Sequence, residues 1–152
     1  MKFYLTCLLE NMSKNILLDT NILLDLFLER PYMLTSTKEI FDGIESGDYY
    51  GYIADISLIN ISYIAWKYRP QEVISEYLLY LCQVCNILYP TLQDITTILQ
   101  NPYIDFEDSI QASCAKQVDA NIITRDSQWF TSIPWIRVFS PDQFLNVKSF
   151  DV

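Results

Sequence analysis

The feature that most constrains the fold of this chain is the regular alternation of short apolar runs with longer segments of helical periodicity. This alternation is typical of β-α units around a mostly parallel sheet. The predicted strands cover residues 16–18, 49–54, 86–88, 122–124 and 136–139. Between them, Ser36 and Glu39 form a candidate capping box at the start of a helix that Gly47 should end. We therefore expect an α/β fold, a three-layer α/β/α sandwich around a mostly parallel sheet of about five strands.

The length and composition of the chain are those of one domain with one hydrophobic core. Of its 152 residues, 51% are hydrophobic and 19% are charged, which excludes a disordered chain. No run approaches the ~20 consecutive apolar residues that a membrane-spanning helix requires, and the first segment lacks the features of a signal peptide. Because Met12 is an alternative start, we treat residues 1–13 as a candidate N-terminal appendage and residues 14–152 as the domain. Scattered cysteines without an export signal indicate a cytoplasmic protein.

Residue types that are missing or rare narrow the chemistry further. The chain has no histidine, which excludes the usual serine-triad, cysteine–histidine and zinc-hydrolase mechanisms. Cys82 and Cys85 form a lone C-x-x-C pair, which we interpret as ordinary thiols at the end of a helix. The net charge of −9 argues against a protein that coats nucleic acid, but not against a nuclease with local contacts to its substrate. Any catalysis must therefore depend on carboxylates.

Four aspartates fall where an open parallel sheet binds its ligands. Asp19 directly follows the first predicted strand, and Asp126 follows the fourth. Asp105 and Asp108 stand at the start of the helix that leads into that fourth strand. Such sheets bind ligands beyond the carboxyl ends of their strands, so these carboxylates converge if the first and fourth strands are neighbours. Converging carboxylates need a cation, and oxygen ligands select magnesium or manganese, which assists phosphodiester cleavage.

Each acidic segment also has an ordinary structural explanation. Residues 19–21 are suited to capping a helix. Asp105 and Asp108 are equally suited to the roles of helix cap and first-turn acid, which the helix dipole favours. Residues 125–126 have the composition of a loop ion pair. These explanations lose weight because all three segments occur in this order on one α/β chain.

The sequence resembles the PIN-domain family, the fold of many bacterial VapC-like toxin ribonucleases, between about residues 14 and 146. The matching segments are residues 16–25 (ILLDTNILLD), 105–111 (DFEDSIQ) and 122–126 (IITRD), the last followed by Trp129-Phe130. The resemblance implies that Asp19, Asp108 and Asp126 bind one or two magnesium or manganese ions and activate water for RNA cleavage. It also implies that Asn21 orients Asp19 or the attacking water.

One position departs from the family pattern. PIN nucleases usually carry a glutamate on the helix after the second strand, and this chain has Asn60 there. An amide oxygen can ligate magnesium, but it supplies no charge and accepts no proton. We expect Asp105 to compensate as a further metal ligand, since it lies about one helical turn before Asp108; Asp55 is a less favoured substitute.

Three functions remain open at this point. The leading hypothesis is a metal-dependent ribonuclease, the toxin of a type II toxin–antitoxin module, which the resemblance implies to be a homodimer blocked by a small protein antitoxin. A catalytically weak PIN-like binding or regulatory module is the alternative, favoured by Asn60 and the acidic surface. A receiver-like or phosphatase-like domain would need paired acids and a late lysine at positions where this chain lacks them. For the leading hypothesis, the residues expected to contact RNA are Lys67, Arg69, Lys116 and Arg125.

Overall fold

The computed structural model describes residues 13–101, 105–130 and 133–148. Its strands are β1 (Asn15–Leu18), β2 (Tyr50–Ala54), β3 (Asn86–Leu88), β4 (Asn121–Ile123) and β5 (Val138–Phe139). Its helices are α1 (Thr20–Phe27), α2 (Leu34–Ser46), α3 (Asp55–Ala65), α4 (Gln71–Val84), α5 (Leu92–Gln100), α6 (Phe106–Gln117) and α7 (Pro141–Lys148). The five strands form one sheet in the order β3-β2-β1-β4-β5, and each neighbouring pair is parallel. The predicted α/β fold with about five parallel strands is confirmed.

Two hydrophobic clusters pack against the opposite faces of this sheet. Because successive side chains of a strand point to opposite faces, Ile16 and Leu18 of β1 lie in the larger cluster and Leu17 lies in the smaller one. Helices α1, α2, α3, α4 and α7 contribute to the larger cluster, and α5 and α6 contribute to the smaller. The result is the expected three-layer sandwich, with β1 buried at its centre.

The strand order places a topological switch point between β1 and β4. The chain winds outward from β1 through β2 to β3, and then returns to the other side of β1 with β4 and β5. Leu18 pairs with Ile123 across the switch point, and the backbone N–H of Asp19 donates to the Ile123 carbonyl at 3.0 Å. Open α/β sheets bind their ligands in the crevice at such a point. The first and fourth strands are therefore neighbours, as convergence of the carboxylates requires.

The helix α2 differs from its prediction at one end and agrees at the other. It begins at Leu34, and its cap Met33 makes no side-chain hydrogen bond, so the capping box of Ser36 and Glu39 is wrong. The Ser36 hydroxyl donates instead to Asp142 of α7, a long-range contact that replaces the local one. Gly47 ends the helix with φ at +83°, a left-handed conformation that glycine adopts without strain.

The two thiols of the C-x-x-C pair lie at the end of α4 in different environments. Cys82 is exposed, whereas Cys85 is buried and lies against Gly51, where an added Cβ would stand 2.8 Å from its sulfur. Burial, with a smaller contribution from Cys82, raises the pKa of the Cys85 thiol to about 12. A thiol that stays protonated is a poor nucleophile and metal ligand, which agrees with the interpretation as ordinary thiols.

Residues 1–12 of the expected N-terminal appendage lie outside the described residues. Ser13 and Lys14, which are described, are attached to the sheet: Asn121 donates to the Ser13 carbonyl at 2.9 Å, and Tyr50 donates to the Lys14 carbonyl at 2.9 Å. Within the described segments, no helix is both long enough and apolar enough to span a membrane.

Candidate metal centre

A cleft of about 290 Å³ opens at the switch point of the sheet. Its walls come from the start of α1, the middle of α3, the first turn of α6 and the loop after β4. The residues that line it are Asp19, Thr20, Asn21, Leu24, Asn60, Ile64, Glu107, Asp108 and Asp126. Four of these lining residues are acidic, and among these described residues none is a lysine or arginine. The cleft is therefore a concentration of negative charge.

Asp19 is nearly buried and is held in place by uncharged donors. Its Oδ1 accepts from Gln111 Nε2 at 2.9 Å, and its Oδ2 accepts from Asn21 Nδ2 at 2.8 Å and Thr124 Oγ1 at 2.6 Å. Although Asp19 occupies the cap position of α1, its side chain makes no capping hydrogen bond. The capping explanation of this residue therefore fails, and its carboxylate is fixed for another purpose.

Thr124 joins two acidic residues of the cleft through one hydroxyl. It donates to Asp19, and it accepts from the backbone N–H of Asp126 at 3.0 Å and from Asn21 Nδ2 at 3.1 Å. This residue was predicted only as the end of a strand. Its position directly between the apolar strand β4 and Asp126 was the available signal, because polar side chains at that edge of a sheet face the crevice.

Asp105 and Glu107, two acidic residues at the start of α6, make different contacts in the structure. Asp105 caps the helix: its Oδ1 accepts from the N–H groups of Glu107 at 2.9 Å and Asp108 at 3.2 Å. The capping explanation therefore holds for Asp105, and this residue is not among those lining the cleft. Glu107 lines the cleft in its place, with Oε1 at 2.9 Å from Thr20 Oγ1 and 3.4 Å from Gln111 Nε2.

The pKa of Asp108 is shifted by burial and by the other acidic residues around the cleft. Burial raises the pKa of its carboxyl, and the nearby carboxylates of Asp19, Asp105, Glu107 and Asp126 raise it further, to about 7. Nearby negative charges disfavour ionisation of the Asp108 carboxyl. Without a cation, the cleft therefore favours a bound proton on Asp108 near neutral pH.

The donor set of the cleft fits a small, hard divalent cation. Its polar lining consists of carboxylate, amide and hydroxyl oxygens, the ligands that magnesium and manganese prefer. In the described part of the chain, no three acidic or sulfur-containing side chains stand close enough to form a complete metal shell. Both Asp19 oxygens accept hydrogen bonds from uncharged donors, and a cation bound there would share or replace these contacts. The site therefore fits a metal that binds with some adjustment of its ligands.

Asn60 faces the cleft from α3, with Ile64 one turn further along the same helix. The position expected for the family glutamate is thus at the site and carries an amide. Asp55 starts the same helix, where its Oδ1 accepts from the Ile56 N–H at 2.8 Å, and it is not among the lining residues.

The four cationic residues expected to contact RNA are dispersed. Lys67 and Arg69 are exposed just past the end of α3, and the Lys67 ammonium stands 5.5 Å from the Tyr63 ring centre. Lys116 packs over Trp135 at the far end of α6, about 12 Å along the helix axis from Asp108. Arg125 is paired through Nε with Asp25 at 2.5 Å. They therefore form no single basic patch.

Comparison with known proteins agrees with the fold. The PIN domain family model matches residues 15–128, more than half of the chain, whereas no curated protein matches it. A chain of VapBC2 from Rickettsia felis, bound to a promoter DNA fragment, superposes with a TM-score of 0.66 at 19% identity, covering 83% of this chain and 98% of that one. A chain of a toxin–antitoxin complex from Klebsiella pneumoniae superposes with a TM-score of 0.61 at 26% sequence identity, covering 83% of this chain and 97% of that one. A chain of DNA-bound VapBC from Salmonella typhimurium superposes with a TM-score of 0.65 at 20% sequence identity, covering 86% of this chain and 98% of that one. The chain therefore belongs to the PIN-domain family.

Proposed function

We propose that this protein is a metal-dependent endoribonuclease that cleaves RNA phosphodiesters, and that it is the toxin of a type II toxin–antitoxin pair. The observation that carries the proposal is the convergence of four carboxylates on one cleft at the switch point of the sheet. PIN-domain proteins are typically nucleases. The similarity in fold to chains of toxin–antitoxin complexes, one of them at 26% identity, supports the toxin assignment.

In this proposal, Asp19, Glu107, Asp108 and Asp126 hold one or two magnesium or manganese ions. Glu107 replaces Asp105 in the ligand set, because the Asp105 carboxylate is committed to the cap of α6. A divalent ion at this place supplies charge stabilisation for a phosphodiester and activation of water. The chain contributes the geometry: Asp19 lies at the start of α1, Glu107 and Asp108 lie in the first turn of α6, and Asp126 lies in the loop after β4.

The uncharged residues of the cleft position these ligands. Asn21 and Thr124 hold one oxygen of Asp19, and Gln111 holds the other. All three are uncharged donors, so none of them brings a positive charge to Asp19. Asn60 offers an amide oxygen to the cation or to the substrate, and it cannot act as a general base.

We propose that RNA reaches the cleft across the exposed end of α3. Asn60 and Ile64 of this helix line the cleft, and Lys67 and Arg69 follow within about one to two turns. Their charges can neutralise phosphates on either side of the cleaved bond, a contribution that salt weakens. Lys116 lies too far along α6 for the same phosphates, so we assign it a smaller part.

The test is cleavage of single-stranded RNA with magnesium or manganese by the natural protein and by Asp19→Asn and Asp108→Asn. Both substitutions preserve side-chain shape and remove one charge from the cleft, so we expect each to abolish metal-dependent cleavage. Asp42→Asn is the matched control, since Asp42 is exposed on α2 and outside the cleft. Equal cleavage by all four proteins would contradict the assignment of the site.

Asn60 supports the second candidate function, a catalytically weak PIN-like binding or regulatory module. In that case the natural protein shows no metal-dependent cleavage, and its effect on a partner survives Asp19→Asn. Replacement by glutamate distinguishes the two functions. Asn60→Glu should raise cleavage above the natural level if the amide merely limits an active site, and it should leave cleavage absent if the cleft has another use.

The expected partners are a protein antitoxin and a second copy of the chain, in the cytoplasm. Ile59, Tyr63 and Trp66 are each at least 66% exposed and lie at spacings of four and three residues, on one side of α3 and its last turn. Apolar and aromatic side chains of this kind concentrate binding energy at interfaces. Light scattering of the purified chain, alone and with the product of an adjacent small reading frame, tests both partners. Free thiols at Cys82, Cys85 and Cys114 agree with a reducing compartment.

A further inference from the structure

Asp25 is a completely buried carboxylate for which the proposed chemistry has no role. It lies near the end of α1 with 0% of its surface exposed. Each of its oxygens meets a different arginine: Oδ1 lies 3.2 Å from Arg30 Nη1, and Oδ2 lies 2.5 Å from Arg125 Nε. Burying a carboxylate is costly unless it is paired; burial is the largest effect on Asp25 and raises the pKa of its carboxyl, and the two guanidinium groups offset part of that cost.

The two arginines connect Asp25 to different parts of the molecule. Arg30 is only five residues away, and its backbone N–H also donates to the Asp25 carbonyl at 3.1 Å. That ion pair closes the end of α1 locally. Arg125 comes from the opposite side of the switch point, one residue after Thr124 and one before Asp126. The Asp25–Arg125 pair therefore ties α1 to the loop that delivers an acid to the cleft.

The backbone of Arg125 is held by α1 as well. Its N–H donates to Asn21 Oδ1 at 3.3 Å, and Asn21 also donates to Asp19. Asn21 and Asp25 are four residues apart on α1, so their side chains share one face of the helix. One face of α1 thus holds both the backbone and the side chain of Arg125.

We propose that Asp25 is a positioning residue of the metal centre, which acts through Arg125 to fix the loop carrying Asp126 and so sets the affinity for divalent cations. The proposal rests on the proposed function, because it takes Asp126 as a metal ligand. It also assigns Arg125 to this internal ion pair and not to RNA, since the charge that RNA would need is engaged by Asp25.

The two arginines provide a matched comparison. Arg125→Gln and Arg30→Gln each remove one cation from the same buried carboxylate, so a purely structural role of Asp25 predicts similar losses of thermal stability and similar metal binding. A positioning role predicts a difference in metal binding alone. Substitution of a residue that hydrogen-bonds to a metal ligand and orients it typically changes the affinity for the metal by about 10- to 100-fold. We therefore expect Arg125→Gln to weaken manganese binding by about tenfold or more, and Arg30→Gln to change it less than about threefold.

The measurement is isothermal titration of manganese into each folded protein without RNA, with circular dichroism to verify the fold. Arg125→Lys retains the charge and should recover part of the affinity, which also provides a variant if Arg125→Gln does not fold. Equal manganese affinity in the Arg125 and Arg30 variants would overturn the proposal while leaving the proposed function intact. Absence of manganese binding by the natural protein would overturn both.

Discussion

Asp108→Asn should stabilise the metal-free protein and, at the same time, abolish most of its binding of divalent metal. The carboxyl of Asp108 has its pKa raised from 3.8 to about 7 by burial and by the carboxylates around it. A group whose pKa is higher in the folded state than in the unfolded state stabilises the fold fully only below its unfolded pKa. The contribution is lost as pH rises from about 4 to 7, and above that range the ionised carboxylate opposes folding.

The magnitude follows from the same two values. A rise from 3.8 to about 7 corresponds to at most roughly 4 kcal/mol at 1.36 kcal/mol for each tenfold change. Asp108 lines an open cleft, where solvent screens the repulsion, so we expect about 1–2 kcal/mol. For a chain of this length that is a rise of about 2–8 °C in Tm.

The assay is thermal unfolding of the natural protein and Asp108→Asn in EDTA at pH 5 and pH 7.5, repeated with manganese at pH 7.5. The variant should melt higher in EDTA, with the larger advantage at pH 7.5. Manganese should then stabilise the natural protein by about 2.7 kcal/mol at a hundredfold excess over Kd, and the variant by much less. A variant that melts lower than the natural protein in EDTA at pH 7.5 would refute the argument from carboxylate repulsion.

Three further substitutions test separate parts of the site. Thr124→Val leaves the buried Asp19 carboxylate short of a donor, so it should cost about 1–3 kcal/mol in urea unfolding and weaken manganese binding by about tenfold in calorimetry. Thr124→Ser should restore the stability and the manganese affinity. Natural manganese affinity in Thr124→Val would contradict the role of the Thr124 hydroxyl in linking Asp19 to Asp126. Asn60→Glu adds a carboxylate, so it should tighten manganese binding and lower the Tm in EDTA; weaker binding would show that this position does not face the cation. Asp105→Asn preserves a good cap and removes one of the charges that raise the Asp108 pKa, so it should stabilise the metal-free fold slightly and change manganese affinity by less than about tenfold, whereas a loss of about tenfold or more would return Asp105 to the ligand set.

Four of the strands could be predicted because each is a short apolar run followed by a polar residue, whereas β3 is followed by Tyr89-Pro90. The predicted range 86–88 coincides with β3, and the first strand differs by one residue. The position of Asp19 after β1 and of Asp126 after β4 followed directly. Sequence reasoning could only assume that β1 and β4 are neighbours, because strand order depends on how the intervening helices pack.

The errors arise where a local pattern competes with a distant partner. Ser36 resembles a helix cap in sequence, but it bonds to Asp142, more than a hundred residues away. Arg125 was expected to contact RNA or to form a loop ion pair, and only the path of α1 reveals that its side chain meets Asp25. Neither partner can be deduced from spacing along the chain.

Asp105 was expected at the site and Glu107 was not considered, yet Glu107 lines the cleft and Asp105 does not; the reason for this difference is another one. Both are close to Asp108 in an acidic run, and the helix start decides which side chain caps and which faces the cleft. A shift of one residue in that start rotates every following side chain by about 100°. Helix boundaries are uncertain by one or two residues even in structures, so the sequence could place the acidic segment at the site without identifying which of its acids line the cleft.

If the cleft at the switch point binds a divalent cation through its carboxylates, calorimetric titration of manganese should detect that binding and its dependence on Asp19. The titration compares the natural protein with Asp19→Asn, and Asp42→Asn is the control. We expect saturable binding of one or two ions by the natural protein and the control, and loss of that binding in Asp19→Asn. No binding by the natural protein, or equal binding by all three, would contradict this expectation.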